Sequence, residues 1–208
     1  MNIVFLTIVS YLLGAVPFGL LVAKMHGVDI RSKGSGNIGA TNVFRVIGKG
    51  WGIFTLVLDA LKGFIPAFVF PMISSRLLTQ ASDAGNLGAE WGVLFGVAAI
   101  IGHTFPVYLK FKGGKGVATS AGMLLGVAPL AVGIGFVCWV ICMVLSRYVS
   151  LSSIIAAIAV AVTVWVDPRQ ESIVIRVSLT IMAGLIVWLH RANIKRLLNG
   201  TENRFGKR

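Results

Sequence analysis

The 208-residue sequence predicts an all-α integral membrane protein with seven transmembrane helices, the N-terminus outside and the C-terminus in the cytoplasm. Three observations carry this reading. Hydrophobic residues make up 56% of the chain and charged residues only 12%, about half the share usual in soluble domains. The apolar residues fall into long runs broken by short polar segments. The net charge of +12 is concentrated in alternate segments. Mean hydropathy is +0.88. Such a chain is neither disordered nor an ordinary soluble domain. Backbone groups in lipid need internal partners, so each apolar run is read as a helix.

The runs follow in order. Residues 3–23 form the first, ending at Lys24. Residues 51–74 form the second, which Asp59 and Lys62 interrupt. Residues 91–109 form the third. The fourth starts after Lys115 and runs to Val127, where Pro129 marks a turn. Residues 130–145, 151–166 and 173–189 form the fifth, sixth and seventh, with Asp167-Pro168 ending the sixth. Seven spans of about 20 residues use about 140 positions, which leaves short loops and one membrane-embedded domain over 1–208. No basic segment precedes the first run, so no cleavable signal peptide is expected. Cys138 and Cys142, four apart in an apolar run, share a helix face and read as packing residues, and no metal site is expected.

Seven spans place the termini on opposite sides, and the basic residues choose which. One set of segments holds 15 Lys and Arg, from Lys24 to Lys49, from Lys110 to Lys115, at Arg147, and from Arg191 to Arg208. The opposite set holds 3, Arg76, Arg169 and Arg176, together with the acids Asp83, Glu90, Asp167 and Glu171. Basic loops stay cytoplasmic, which fixes the orientation.

Four polar segments then share the cytoplasmic face. The first is Gly34-Ser35-Gly36-Asn37-Ile38-Gly39-Ala40-Thr41-Asn42 with Arg45. Its Gly-x-Gly-x-x-Gly spacing is not a dinucleotide site, because no strand precedes it. Its glycines still let backbone amides approach an anion, and Ser35, Asn37, Thr41 and Asn42 add neutral donors. The second runs from Gly102-His103 through Lys112-Gly113-Gly114-Lys115-Gly116, glycines leading into a helix N-terminus and so a natural phosphate site. It is no Walker A loop, since Gly116 stands where Ser or Thr would bind magnesium. The third is Ser146-Arg147-Tyr148-Val149-Ser150. The fourth is His190-Arg191-Ala192-Asn193-Ile194-Lys195-Arg196, followed by Glu202. His103 and His190 are candidate bases or phosphate donors. A His–Asp dyad with five-residue spacing is absent, because Tyr108 occupies the acid's place. Asp59 and Lys62 lie three apart and read as an internal pair that fixes helix packing.

These segments together resemble the PlsY family, bacterial membrane glycerol-3-phosphate acyltransferases that use acyl phosphate. The resemblance covers nearly the whole chain. It rests on Gly34-Ser35-Gly36-Asn37-x-Gly39-Ala40-Thr41-Asn42 with Arg45, on Gly102-His103-x-x-Pro106 through Lys112-Gly113-Gly114-Lys115-Gly116, and on Asn193-Ile194-x-Arg196-Leu197-x-x-Gly200-x-Glu202. Asp59-x-x-Lys62-Gly63 and Ser146-Arg147-Tyr148-x-Ser150 also fit.

The resemblance implies transfer of a fatty acyl group from acyl phosphate to the 1-hydroxyl of sn-glycerol 3-phosphate, giving lysophosphatidic acid and phosphate. It implies a bacterial inner-membrane enzyme with no cofactor, no nucleic-acid partner and no obligate protein partner. Ser35, Gly36, Asn37, Thr41, Asn42 and Arg45 would hold the acyl-phosphate head. Lys112, Gly113, Gly114, Lys115 and Arg196 would hold the glycerol phosphate, or the two assignments would be exchanged. His103, His190, Lys115 and Asn193 are the candidate catalytic residues, with the substrate's own phosphate as an alternative base. Ser146, Arg147, Ser150 and Glu202 complete the candidate binding set, with Glu202 and Asn193 bracing the C-terminal segment. An anion transporter would instead place polar residues along a path through the membrane. A lipid-binding scaffold would explain Lys and Arg but not the Asn, Ser and His content.

Overall fold

The structure is a computed structural model that describes residues 3–77 and 84–206, with side chains described outside 75–77 and 84–87. Of the charges tallied above, Asp83, Lys207, Arg208 and the Arg76 side chain lie outside the described residues. The described residues are helical, with no strand among them. The helices are α1 (Ile3–Ala15), α2 (Phe18–Met25), α3 (Ala40–Val46), α4 (Lys49–Phe64), α5 (Phe70–Leu77), α6 (Ala84–Thr104), α7 (Val117–Val127), α8 (Pro129–Ser146), α9 (Val149–Val166), α10 (Ile173–Leu189) and α11 (Arg191–Leu198). They group into two compact units, Met1–Val127 and Ala128–Arg208.

Five segments are long and apolar enough to cross a membrane: Ile3–Met25, Lys49–Ser74, Gly88–Leu109, Pro129–Ser146 and Val149–Val166. The bent pair Ile173–Leu189 and Arg191–Leu198, meeting at 53°, makes a sixth. The fourth expected run is the 11-residue α7. At 1.5 Å per residue it reaches about 16 Å, roughly half the hydrocarbon thickness. Among the described residues the spans number five, or six with the bent pair, and α7 stands apart as a shorter apolar helix.

In the first unit, α1 shows why the surface suits lipid. Val4, Ile8 and Leu12, spaced four apart, are exposed, whereas Leu6, Ser10 and Gly14 are buried. An apolar stripe facing outward has no stabilising partner in water but is at home in hydrocarbon. The first run is one span by length but two helices in detail. Pro17 has no N–H and disfavours helix at Val16, so the chain breaks there. The Val16 carbonyl accepts a hydrogen bond from Lys62 Nζ at 2.8 Å. The second run is continuous but passes through a π-helical turn, Ile65–Val69, at Pro66.

Small residues let these helices close in on one another. A Cβ at Gly14 would strike the Ala99 backbone, one at Gly63 the Thr119 carbonyl, and one at Gly122 the Ala60 carbonyl. These contacts set α1 against α6 and α4 against α7, which fixes the ends of the helices that carry the polar loops.

In the second unit, α8 and α9 form a hairpin joined at Arg147, whose backbone is left-handed with φ 60°. The Ser146 hydroxyl accepts from the Tyr148 N–H at 3.1 Å and donates to the Cys142 carbonyl at 2.7 Å, closing the turn. Ser172 caps α10 by accepting from the Ile175 N–H at 3.3 Å. Trp165 Nε1 donates to Thr180 Oγ1 at 2.9 Å, tying α9 to α10.

Candidate active site

The first polar loop is wound around one side chain. Asn42 is 1% exposed. Its Nδ2 donates to the carbonyls of Ile30 at 3.2 Å, Lys33 at 3.0 Å and Asn37 at 2.8 Å. Its Oδ1 accepts from the Ser35 N–H at 2.9 Å. Gly34 and Gly36 take left-handed φ of 59° and 70°, and a Cβ at Gly34 would strike Asn42 Oδ1. The Asn37 side-chain oxygen accepts from the Gly39 N–H at 2.8 Å and leads the chain into α3. Beneath the loop, Ala23, Ile30 and Ile38 form a buried cluster against which Leu20, Val46, Ile47 and Leu109 pack.

Asn42, read from the sequence as a candidate donor to the ligand, is placed by the structure inside the loop as its brace. A buried amide satisfies its groups locally, and here both the amide nitrogen and the oxygen are engaged within the loop. Ser35 and Gly36 are exposed, while Asn37, Thr41 and Arg45 are half-buried.

The second loop is fastened to the end of α6. The Gly113 N–H donates to the Thr104 carbonyl and the Gly114 N–H to the His103 carbonyl, both at 3.0 Å. The Phe111 N–H donates to the Pro106 carbonyl at 3.0 Å. Tyr11 of α1 donates its hydroxyl to the Phe105 carbonyl at 2.8 Å. Lys110 and Phe111 are left-handed at φ 51° and 62°, which side-chain-bearing residues rarely adopt. Leu109, packed on the first loop's cluster, ties the two loops together. Lys112 is exposed and Lys115 half-buried.

Behind this loop lies a charge cluster. Lys62 Nζ sits 2.8 Å from Asp59 Oδ1, and both side chains are buried. This internal pair agrees with the spacing argument. The sequence gives no sign of its third member, His103, whose Nδ1 lies 3.6 Å from the same Asp59 oxygen. The acid absent five residues after His103 is supplied by another helix. The other side of the imidazole meets Gly114, where a Cβ would strike Nε2. His103 is 7% exposed.

The second unit gathers its candidate residues around one carboxylate. Glu202 Oε1 accepts from Asn193 Nδ2 at 2.7 Å and from the Ser150 hydroxyl at 2.8 Å. Its Oε2 accepts from Arg196 Nε at 2.7 Å. Burial pushes the Glu202 carboxyl up, but the bonds from Asn193, Ser150 and Arg196 outweigh it and hold the group below its ordinary value. Two contacts absent from the sequence reading extend this network. The Phe205 N–H donates to the Arg147 carbonyl at 2.7 Å, and Arg204 Nε donates to the Tyr148 hydroxyl at 2.9 Å. His190, buried at the α10–α11 bend, donates Nδ1–H to the Ile186 carbonyl at 2.7 Å. In the neutral ring that bond places the lone pair on Nε2.

Comparison with known proteins gives a consistent result. The profile of the family described as "Glycerol-3-phosphate acyltransferase" matches residues 4–200. Proteins of that description are 46% identical over 200 residues in Geotalea daltonii, covering 96% of both chains. In Aquifex aeolicus the identity is 41% over 207 residues, covering 99% of this chain and 100% of that one. Two crystal structures of PlsY (YgiH), an integral membrane glycerol 3-phosphate acyltransferase, align with this chain. The glycerol 3-phosphate form gives a TM-score of 0.87 at 40% identity, covering 99% of this chain and 96% of that chain. The lysophosphatidic acid form gives 0.84 at 39% identity with the same coverage.

Proposed function

The chain belongs to the glycerol-3-phosphate acyltransferase family, and from that premise we propose that it transfers a fatty acyl group from acyl phosphate to the 1-hydroxyl of sn-glycerol 3-phosphate. The products are 1-acylglycerol 3-phosphate and inorganic phosphate, the first acylation of phospholipid synthesis. One observation carries the reading: the two solved relatives that match along the whole chain are described in a glycerol 3-phosphate form and a lysophosphatidic acid form, acceptor and product of one acylation.

The chemistry suits these residues. Acyl phosphate is a mixed anhydride with phosphate as its leaving group. The 1-hydroxyl oxygen bonds to the acyl carbon, the bond from that carbon to the phosphate oxygen breaks, and the hydroxyl proton passes to a base. Aligning two bound reactants removes several kcal/mol from such a barrier. Fixed donors at the developing oxyanion and leaving phosphate remove more. We assign the acyl-phosphate head to Ser35, Gly36, Asn37, Thr41 and Arg45, on a loop that Asn42 shapes. We assign the glycerol phosphate to Lys112 and Lys115 on the Gly113–Gly114 turn. In the second unit, taken by itself, His190, whose Nδ1–H is held by the Ile186 carbonyl, and Asn193 are the residues we propose for handling the hydroxyl proton, with the substrate's own phosphate as the alternative base. Glu202, Ser146, Arg147 and Ser150 support that pair.

The same reading has seven spans in one acyltransferase domain over 1–208. It puts the N-terminus outside, in the bacterial inner membrane, with the polar loops on the cytoplasmic face. The test is a donor comparison. Purified protein is given glycerol 3-phosphate with palmitoyl phosphate or with palmitoyl-CoA, and lipid product is read by mass spectrometry. Lysophosphatidic acid formed from palmitoyl phosphate alone is expected. Product from palmitoyl-CoA alone would overturn the donor assignment.

A further inference from the structure

We propose that Asp59 is a positioning residue for the acceptor substrate: it holds the His103 imidazole as a wedge against Gly114 and thereby fixes the loop that carries Lys112 and Lys115. The inference rests on the proposed role of that loop in holding glycerol 3-phosphate.

Charges inside a membrane span are expensive unless they are paired, and their retention points to work done there. Here one carboxylate oxygen lies beside two partners from different positions. Asp59 Oδ1 is 2.8 Å from Lys62 Nζ and 3.6 Å from His103 Nδ1. Lys62 is anchored in turn by the Val16 carbonyl at 2.8 Å and lies over the Phe18 ring, 5.4 Å from its centre. The pair is thus pinned to the Pro17 break of the first span. Its remaining reach is directed at His103. A helix-packing role alone is complete with Lys62 and does not require the histidine.

The other side of the imidazole explains the glycine. A Cβ at Gly114 would meet Nε2, Cε1 and Cδ2 of His103, and one at Gly113 would meet the His103 and Thr104 carbonyls. The loop backbone therefore rests directly on the ring and on the end of α6. Its two N–H groups donate to those same carbonyls at 3.0 Å. Lys112 and Lys115 flank this contact. The chain of support runs from the Val16 carbonyl through Lys62, Asp59 and His103 to the loop. His103 thereby acts by position rather than as an acid or base.

Two readouts test this. The first is hydrogen exchange at the Gly113 and Gly114 amides, which needs no activity. The second is the KM for glycerol 3-phosphate beside kcat and the KM for palmitoyl phosphate. Asp59→Asn, Gly114→Ala and the double variant are compared with wild type. Asp59→Asn weakens the hold on the ring, and Gly114→Ala pushes a methyl group against it, so each displaces the same contact. Faster exchange at both amides is expected, with a rise of about 10- to 100-fold in the acceptor KM, the scale on which small misplacements act. The donor KM stays near wild type. The double variant falls well short of the product of the two single effects, because the two sites are coupled. If Asp59→Asn alone does not fold, Asp59→Asn with Lys62→Met removes the unpaired buried charge and takes its place. Unchanged exchange and acceptor KM in folded variants, or fully independent effects, would overturn the proposal. A folded wild type without glycerol 3-phosphate turnover would overturn the functional reading instead, and exchange would still decide whether Asp59 holds the loop.

Discussion

Asn193 donates its side-chain amide hydrogen to Glu202 across 2.7 Å, and that bond fixes the first turns of α11 to the segment that follows it. Arg196 and Ser150 complete the carboxylate's shell. Because these donors favour the ionised form, the folded-state pKa of Glu202 lies below its unfolded value. The stabilisation is therefore fully present above the unfolded pKa and is lost as pH falls through the folded one. Thermal unfolding in detergent tests this. Glu202→Gln unfolds earlier than wild type from neutrality down to about pH 5, and the gap closes below that. A gap that widens in acid would contradict it.

Asn42 makes a prediction of a different kind. Asn42→Ala leaves the Ser35 N–H and the Asn37 carbonyl without their partner, while the Ile30 and Lys33 carbonyls keep the Lys33 and Gly36 N–H donors. With about 1–3 kcal/mol for each buried group orphaned and partial rescue by water, a loss of about 3 kcal/mol is expected. Asn42→Asp faces those same carbonyls with a carboxylate and does no better. Thermal unfolding and turnover of the two variants check this together.

Glycine spacing predicts unequal tolerance. Gly122→Ala pushes a methyl into the Ala60 carbonyl and costs about 1–3 kcal/mol by overpacking. Gly184 has open space where a Cβ would stand. Gly184→Ala in the interior of α10 gains about 0.5–1 kcal/mol from reduced backbone freedom. Midpoints of thermal unfolding in one detergent compare the two directly.

Lys115→Ala tests the loop's role in turnover. Removal of one fixed donor to a charged transition state lowers turnover about 100- to 1,000-fold. The variant is expected to keep its helical circular dichroism and its unfolding midpoint. Wild-type turnover in folded protein would remove Lys115 from the site.

The membrane helices were legible because apolar runs are a property of local sequence. The Asp59–Lys62 pair was legible for the same reason, being three residues apart on a helix. His103's carboxylate was not, because it arrives from α4, and periodicity within α6 contains no trace of it. The loop-bracing bonds of Asn42 were not legible because an Asn in a Gly-rich loop has the same appearance whether it faces outward or inward. Its 1% exposure and its bonds to the Ser35 N–H and to the Ile30, Lys33 and Asn37 carbonyls show that it faces inward. The break at Pro17 was passed over when residues 3–23 were read as one run, although the proline marks it, and the answering Lys62 contact required the third dimension. In the second unit, Asn193, Arg196 and Glu202 are near in sequence and were grouped, whereas Ser150's bond to Glu202 spans two distant segments.

The most direct test of the reaction is phosphate release by purified protein in lipid-supplemented detergent, followed as palmitoyl phosphate and glycerol 3-phosphate are varied. Release that requires both substrates and matches lysophosphatidic acid mole for mole is the expected result. Release that ignores glycerol 3-phosphate, or none from protein shown to be folded, would contradict the account.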